Sequence, residues 1–247
     1  MIEELLPESV VAVEAHADDH AEGMGAPTPH PELYPGEEAL IARAVEKRRR
    51  EFTVVRGCAR RAMEKLGVPP QAVLSGDRGA PRWPAGLIGS MTHCEGYAAA
   101  ALARATDLAS LGIDAEPHLP LPADVLPSVA LPDEVRRLGE LAADHPQIHW
   151  DRLLFSAKES VYKAWFPLTG KWLDFSEADI EVFMDPGHTT SGGLSAGLLV
   201  PGPVVDGRRI GRFEGRWTVS RGLVATSVTV PHAQDGQHGQ DGRHGQD

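Results

Sequence analysis

The chain has 247 residues, of which 42% are hydrophobic, and this is enough apolar material for one large domain or two smaller ones. Its formal net charge of -11 argues against a protein that holds nucleic acid by bulk electrostatics, because such proteins present a basic face. The two cysteines, Cys58 and Cys94, are too few for a disulfide framework and lack the spacing of zinc ligands.

The N-terminal segment, residues 1–20, is acidic and lacks the basic start and the long apolar run of a secretory signal. No stretch of the chain approaches the roughly 18 apolar residues of a membrane span. We therefore expect a cytoplasmic protein that does not bind membranes. Residues 16–20, HADDH, could bind a metal by their spacing, but their acidic and irregular surroundings favour a solvated loop.

Residues 37–66 carry apolar side chains at steps of three and four, which predicts a long amphipathic helix. Arg48 occupies a position of the apolar stripe between Val45 and Phe52, so we expect its guanidinium to point toward the interior or a cleft. The alternative is that Arg48 reaches solvent along its own methylene groups. Arg56 borders the same stripe. An anionic ligand or an acidic partner could be received by the basic residues of this segment, which are Arg43, Lys47, Arg48, Arg49, Arg50, Arg56, Arg60, Arg61 and Lys65.

The next periodic segment, residues 87–103, reads LIGSMTHCEGYAAAALA. It predicts a strand, a tight turn at residues 95–96, and a second element that is a strand or a short helix, because its alanines leave the type open. Thr92 and His93 lie where the first strand ends. A hydroxyl, an imidazole and nearby backbone amides can together hold a phosphate, whereas a purely structural turn histidine is the alternative.

A further strand is predicted for residues 111–117, LGIDAEP, followed by a proline-rich connection. Asp114 and Glu116 are two residues apart, so both carboxylates leave the same face of the strand. Adjacent like charges in an apolar segment are unfavourable unless a cation lies between them, and oxygen ligands of this type suit magnesium. A solvated strand face is the simpler alternative.

The helical pattern of residues 151–166 contains Glu159 and Lys163, four residues apart. Such pairs are usually surface ion pairs worth about 0.3–0.5 kcal/mol. If Glu159 joins Asp114 and Glu116, however, three carboxylates and a lysine would surround one magnesium ion. That set of groups is suited to phosphoryl transfer.

Periodicity also predicts a helix at residues 132–144 and strands at residues 178–184, 215–220 and 222–230. The overall pattern is α+β, in two halves. The tail, residues 231–247, has almost no apolar content, so we expect it to be disordered. Its regularly spaced histidines could chelate a metal weakly, although a solvated tail is favoured; they are His232, His238 and His244.

These motifs, in this order and at these separations, resemble those of the single-chain 4'-phosphopantetheinyl transferases, which include the surfactin-type and enterobactin-type enzymes. The resemblance spans residues 40–175 and rests on the arginine-rich helix, GSMTHCEGY, GIDAEP and FSAKESVYKAWF. Gly-x-Asp-x-Glu followed about forty residues later by Lys-Glu-x-x-x-Lys is its most specific part. It implies transfer of the phosphopantetheine arm of coenzyme A to a serine of an acyl or peptidyl carrier protein, with release of 3',5'-ADP.

The resemblance also implies roles for individual residues. Asp114, Glu116 and Glu159 would bind magnesium, for which manganese can substitute, and Glu159 would also act as the catalytic base. Lys163 and Lys158 would neutralise the pyrophosphate of coenzyme A, with Lys163 assisting departure of the leaving group. Contacts to the 3'-phosphate and adenosine end would come from Arg48, Arg56, Thr92 and His93.

One loop departs from the family pattern. Many relatives carry a Gly-Lys-Pro or Arg-Glu-Pro motif, whereas this chain has Gly79-Ala80-Pro81. The phosphate contact of the loop would then come from Arg78 or Arg82.

The fold implied by the resemblance is α+β, with two similar subdomains related by pseudo-twofold symmetry, each a small antiparallel sheet packed on a long helix. Residues 1–110 would form the half that contacts the 3'-phosphate, and residues 111–230 the half with the magnesium and catalytic residues. A monomer is expected, because one chain contains both sides of the cleft.

Carrier proteins of this kind are usually acidic, so an acidic enzyme would dock them through apolar contacts or a local basic patch bordered by Arg48, Arg49 and Arg50. The expected partners are carriers of polyketide and nonribosomal peptide synthesis, in secondary metabolism, and fatty-acid carriers are an alternative.

The sequence also leaves two other functions as alternatives. One is a magnesium-dependent phosphodiesterase that uses water as the nucleophile, and the other is a module that binds coenzyme A or a carrier without catalysis.

Overall fold

The computed structural model describes residues 1–16 and 32–233. Within them the chain forms an α+β fold. The helices are α1 (Pro35–Ile41), α2 (Glu46–Lys65), α3 (Leu126–Val129), α4 (Pro132–Asp144) and α5 (Trp150–Thr169). The strands are β1 (Val11–His16), β2 (Leu74–Ser75), β3 (Pro81–Arg82), β4 (Leu87–Cys94), β5 (Tyr97–Arg104), β6 (Leu108–Pro117), β7 (Ala178–Met184), β8 (Ser191–Leu198), β9 (Val204–Val205), β10 (Arg208–Arg209), β11 (Arg212–Ser220) and β12 (Leu223–Pro231). None of the helices in these two ranges is long and apolar enough to cross a membrane.

The first sheet is antiparallel in the order β1-β5-β4, and α2 packs on it. The turn between β4 and β5 is at the predicted place, where Gly96 adopts a φ of 75°. The alanine-rich segment is the central strand. Ala100 and Leu102 pack with side chains of α2, whereas Ala99 and Ala101 belong to a separate hydrophobic cluster that includes Ile113 of β6. Because both faces of β5 are buried, its sequence shows no alternation of apolar and polar residues.

The predicted helix over residues 37–66 is two helices. Arg49 of α2 donates a hydrogen bond from Nη1 to the carbonyl of Ile41, at the end of α1, 3.2 Å away. The chain must break here because Glu37 and Arg60 form a buried ion pair of 2.8 Å. In one continuous helix, residues 23 positions apart would be separated by about 34 Å.

The second sheet is antiparallel in the order β6-β12-β11-β8-β7, and α5 lies across β6 and β12. Gly112 permits this close packing, since a Cβ atom at that position would lie 2.0 Å from the carbonyl oxygen of Ser160. Ser110 Oγ donates to the carbonyl of Ala164 at 2.7 Å, and Ser160 Oγ lies 2.7 Å from Thr226 Oγ1. These contacts fix the position of α5 on β12 and on β6, which we call the acidic strand because it carries Asp114 and Glu116.

Side-chain hydroxyls join the two sheets where β4 runs beside β6. Ser90 Oγ accepts a hydrogen bond from the amide of Ile113 at 3.0 Å, and Thr92 Oγ1 accepts one from the amide of Ala115 at 3.1 Å. The backbone of the acidic strand is therefore held from the first sheet as well as from β12.

The predicted strands β6, β7, β11 and β12 and the predicted helices α4 and α5 are confirmed. Strand β8, with the sequence SGGLSAGL, was missed because its glycines and serines resemble a loop; at Gly193 the ring of Phe183 occupies the space that a Cβ atom would fill. His232 was predicted to lie in the disordered tail. Its Nε2 is hydrogen-bonded to the carbonyl of Ala105 at 2.8 Å, and its Nδ1 to Asp206 Oδ2 at 2.9 Å. The rest of the predicted tail, from residue 234, and HADDH after His16 lie outside the described residues.

Candidate functional site

A cleft of about 830 Å³ opens between α2 and β4 on one side and α5 and β6 on the other. Apolar side chains of both sides form much of its wall, among them Phe52, Val55, Trp83, Leu87, Met91, Leu111 and Phe166. Most of the predicted site residues also line it, namely Arg48, Arg56, Arg78, Thr92, His93, Asp114, Glu159 and Lys163. Residues from distant parts of the sequence thus meet in one cavity.

Asp114 is a buried, charged residue in the wall of the cleft. Only 5% of the residue is exposed, and its Oδ1 accepts hydrogen bonds from Lys163 Nζ at 2.7 Å and from Thr92 Oγ1 at 3.2 Å. Lys163 Nζ also donates to the carbonyl of Ile113 at 3.0 Å. Asp114 Oδ2 is buried without a hydrogen-bond partner. A buried carboxylate oxygen of this kind is a place where a bound group is expected.

Glu116 and Glu159 lie within the electrostatic influence of Asp114. Burial raises the pKa of Glu159; Lys163 opposes this rise, and the charge of Asp114 adds to it. Burial, and next the charge of Asp114, raise the pKa of Glu116, while its ion pair with Arg152 at 3.0 Å lowers it. The charge of Asp114 therefore disfavours the ionised forms of both Glu116 and Glu159.

Among the described residues, no group of three or more His, Cys, Asp and Glu side chains is arranged to hold a metal ion. Lys163 and Arg152 each pair with one oxygen of the acidic residues of β6. The chemistry of the donors nevertheless fits magnesium, because the nearby acids offer hard oxygen ligands and Asp114 has a buried oxygen to spare. The site of three carboxylates stays a prediction.

Arg56 places a buried cation on the α2 side of the cleft. Its guanidinium carbon lies 3.4 Å from the ring centroid of Phe52, and its Nε has no hydrogen-bond partner. Burial lowers the pKa of Arg56 to about 10; Glu37 opposes this shift, whereas Arg48 and Arg60 add to it. The side chain remains charged at neutral pH and can offer a charge-assisted hydrogen bond to an anion.

Arg48 and His93 meet at the rim of the cleft, where Arg48 Nη1 contacts His93 Nε2. His93 Nδ1 lies 3.7 Å from Glu51 Oε2. Burial lowers the pKa of His93, the charge of Arg48 lowers it further, and Glu51 opposes both, so the imidazole is largely neutral at pH 7. The side chain of Arg48 lines the cleft as predicted, and 47% of it is exposed, as the alternative required.

The hydroxyl of Thr92 makes two hydrogen bonds within the protein. Its proton is donated to Asp114, and one of its lone pairs accepts from the amide of Ala115. A hydroxyl has a single proton to donate. Thr92 as placed positions Asp114, and its contact with the adenosine and 3'-phosphate end of coenzyme A stays a prediction.

Of the two arginines proposed for the variant loop, Arg78 lines the cleft and Arg82 is not among the lining residues. Arg78 has a left-handed backbone with a φ of 53°, and its guanidinium carbon lies 5.5 Å from the ring centroid of Trp172. Arg82 packs against Gly76 instead, where an added Cβ atom would lie 3.0 Å from the Nε of Arg82. The position of Arg78 favours it for a contact with the ligand.

The structure does not bring Lys158 to the cleft. Its Nζ forms an ion pair of 2.8 Å with Glu134 Oε1 of α4 and donates to the carbonyl of Phe175 at 2.7 Å, with both charged side chains buried. Lys158 and Lys163 are five residues apart and thus about 140° apart around the helix axis. The predicted pyrophosphate contact of Lys158 does not fit this placement, because its ammonium joins α5 to α4.

Sequence reasoning missed two side chains near the acidic cluster. Arg152 pairs with Glu116 and lies seven residues before Glu159, on nearly the same face of α5. This spacing was a signal that could have identified Arg152. Tyr162 lines the cleft, its ring centroid lies 4.9 Å from that of Trp172, and its buried hydroxyl has no partner. An aromatic residue in an amphipathic helix usually belongs to the core, so no pattern in the sequence pointed to Tyr162.

Comparisons with known proteins match both sides of the cleft. The family model for the 4'-phosphopantetheinyl transferase N-terminal domain matches residues 36–103, and that for the 4'-phosphopantetheinyl transferase superfamily matches residues 110–195. The chain is 56% identical over 230 residues to 4'-phosphopantetheinyl transferase Svp of Streptomyces mobaraensis, which covers 93% of this chain and 89% of that protein. It is 46% identical over 231 residues to 4'-phosphopantetheinyl transferase Npt of Nocardia iowensis, covering 92% and 99%. It is 44% identical over 235 residues to 4'-phosphopantetheinyl transferase PptT of Mycobacterium tuberculosis, covering 93% and 98%.

Proposed function

The chain belongs to the 4'-phosphopantetheinyl transferase family and transfers the phosphopantetheine arm of coenzyme A to carrier proteins, and we propose that the cleft between α2 and α5 is where it does so. The observation that carries this assignment is the arrangement at Asp114, which holds Lys163 with one oxygen and keeps a second, buried oxygen without a partner. The ammonium of Lys163 suits a negatively charged ligand, and the free oxygen of Asp114 suits a cation bound together with that ligand.

Coenzyme A would lie across the cleft with its phosphates between the two helices. Arg56 and Arg48 would neutralise the 3'-phosphate, and His93, oriented by Arg48, would add a polar contact at the rim. Arg78 and Lys163 would neutralise the pyrophosphate. The buried guanidinium of Arg56 supports this orientation, because a phosphate would supply the hydrogen bond that its Nε lacks.

Glu159 is the proposed base. It would take the proton of the carrier serine as the serine oxygen attacks the phosphorus atom attached to pantetheine. The bond from this phosphorus to 3',5'-ADP then breaks, and Lys163 would stabilise the charge on the departing oxygen. The position of Glu159 in the wall of the cleft, on the same helix as Lys163, supports the role.

Magnesium, with manganese as a substitute, would be held by Asp114, Glu116 and Glu159. When bound, the ion would neutralise phosphate oxygens of coenzyme A. The carboxylate character of these residues supports the proposal, as does the unpartnered oxygen of Asp114.

The wider organisation is also a proposal. Two antiparallel sheets, each packed on a helix of 20 residues, support a pseudo-twofold relation between residues 1–110 and 111–230. A monomer is proposed because one chain supplies both sides of the cleft. The proposed partners are acyl or peptidyl carrier domains of polyketide and nonribosomal peptide synthesis.

The test is the intact mass of an apo carrier protein after incubation with coenzyme A and magnesium. The wild-type protein should add one phosphopantetheine group, and Glu159→Gln should slow the addition by about 10²–10⁴-fold because the base is lost. Glu181→Gln, at an exposed position of β7, is the matched control and should keep the wild-type rate.

Equal rates for Glu159→Gln and the control would reject the base. Release of free phosphopantetheine without any labelled carrier would instead favour the phosphodiesterase. Binding of coenzyme A and carrier without turnover in the presence of magnesium would favour the non-catalytic module.

A further inference from the structure

The first turn of α5 holds the chain that follows β6 through the guanidinium of Arg152. Nη1 donates to Glu116 Oε2 at 3.0 Å, Nε donates to the carbonyl of Leu119 at 3.0 Å, and Nη2 donates to the carbonyl of Pro120 at 3.1 Å. Every nitrogen of the fork therefore has an acceptor. Only 17% of the Arg152 side chain and 22% of the Glu116 side chain are exposed, so the contact is shielded from water.

Neighbouring contacts hold the same segment without touching Glu116. Asp151 Oδ2 accepts a hydrogen bond from the amide of Leu121 at 2.8 Å, and His118 Nε2 accepts one from the amide of His149 at 3.1 Å. The segment is thus fastened at several points, and Arg152 alone among these groups reaches the carboxylate. Loss of the Asp151 side chain would therefore remove one anchor of this backbone without removing the ion pair between Arg152 and Glu116.

Glu116 needs such a partner because Asp114 repels it from two residues away on the same strand face. Without a cation beside it, the carboxylate would turn toward solvent and away from Asp114. Arg152 engages Oε2, and Oε1 stays outside this ion pair. A planar fork that is fixed by two carbonyls can define the direction of the carboxylate, which a flexible ammonium does not do.

We propose that Arg152 is a positioning residue that aims the carboxylate of Glu116 at the cation shared with Asp114 and Glu159. The inference rests on the proposed magnesium site and adds to it the group that orients one ligand. Residues that orient metal ligands by hydrogen bonding typically change metal affinity by about 10–100-fold when they are removed.

The experiment measures Mn²⁺ binding by electron paramagnetic resonance in the presence of saturating coenzyme A. Arg152→Ala should raise the Kd for Mn²⁺ by about 10–100-fold. Asp151→Ala is the matched control, because it loosens the same segment without touching Glu116, and should change the Kd by less than about threefold. Arg152→Lys keeps the charge without the planar fork and should fall between wild type and Arg152→Ala.

Thermal unfolding of each variant checks that it is folded. If Arg152→Ala does not fold, the Kd for Mn²⁺ of Arg152→Lys is compared with that of Asp151→Ala. Equal Mn²⁺ affinity in the Arg152 and Asp151 variants would overturn the inference. Tighter Mn²⁺ binding by Arg152→Ala would also overturn it, because the guanidinium would then be a competitor of the metal. Absence of Mn²⁺ binding by the wild-type protein would reject the metal site itself together with the inference, whereas failure of the Arg152 variants alone leaves the metal site standing.

Discussion

Helices α2 and α5 have the same length of 20 residues, each packs on a sheet, and both line the cleft, yet they supply their polar groups in different ways. The basic residues of α2 leave on different faces. Arg60 enters a buried pair with Glu37, Arg61 pairs with Glu64 at the surface, and Arg48 reaches the rim of the cleft. A cluster that is continuous in sequence is therefore divided in space.

Helix α5 is built around contacts with the acidic strand. Gly112 brings the helix backbone onto the strand, and from there Lys163 reaches Asp114 while Lys158 is buried on another face. On α2, the proposed recognition of coenzyme A depends on Arg48, which is partly exposed, and on Arg56, which stacks on Phe52. On α5, the site depends on how the helix is packed. Substitutions on α5 should therefore alter stability and geometry, whereas those on α2 should alter ligand affinity.

The largest effect is expected from the buried pair on α5. Lys158→Met should lower the free energy of unfolding by about 3–5 kcal/mol, because Glu134 is left buried without its cation. Urea denaturation measures the loss. Glu134→Gln in the same chain should recover part of it, and Lys65→Met, at an exposed position, is the control with an effect below about 0.5 kcal/mol. A loss below about 1 kcal/mol for Lys158→Met would contradict the structural role of the pair.

Gly112→Ala tests the contact between α5 and the acidic strand. The added methyl group would collide with the backbone of Ser160, so we expect a loss of about 3 kcal/mol in the free energy of unfolding. Gly139→Ala on α4 is the matched control, because no atom lies within 4 Å of its added Cβ, and it should stabilise the fold by about 0.5–1 kcal/mol. Equal stabilities for the two variants would show that α5 can shift without cost.

Substitutions of Arg56 and Arg48 test whether α2 acts on ligand affinity, in contrast to α5. Arg56→Gln should weaken coenzyme A binding by about 1.5–3 kcal/mol, since a charged hydrogen bond in a shielded place is lost. Arg48→Gln should cost at most about 1 kcal/mol, because its side chain is 47% exposed. Calorimetry at two salt concentrations should show a stronger salt dependence for the contribution of Arg48. A larger loss for Arg48 than for Arg56 would reverse the assignment.

The smallest expected effect is on stability as a function of pH, measured without metal or coenzyme A. The folded-state pKa of Glu159 is raised above the ordinary 4.5, so the folded protein holds this proton more tightly than the unfolded chain does. As pH rises from 4.5 through the raised pKa, ionisation of Glu159 therefore lowers the free energy of unfolding. This loss remains at every higher pH. Glu159→Gln should be more stable than wild type at pH 7 and lose this advantage as pH falls below 4.5. An advantage that does not change with pH would reject this explanation.

The sequence by itself determined the local elements and the identity of the chemistry. Strand β6, the turn before β12 and helix α5 follow from periodicity and turn residues, because these report the conformation of neighbouring residues. The order and separations of four motifs resemble those of the 4'-phosphopantetheinyl transferases, and the family models confirm that resemblance. The motifs are the arginine-rich helix, GSMTHCEGY, GIDAEP and FSAKESVYKAWF.

Only the tertiary structure decided which partner each charged side chain meets. The break within residues 37–66 follows from the pairing of Glu37 with Arg60, and the amphipathic pattern continued across the break. Lys158 turned away from the cleft because Glu134, contributed by another helix, is its buried partner. Local periodicity reports the conformation of neighbouring residues, so it carries no information about a partner that is distant in the sequence. Long-range pairing therefore decided the direction of these side chains, within helices that periodicity predicts.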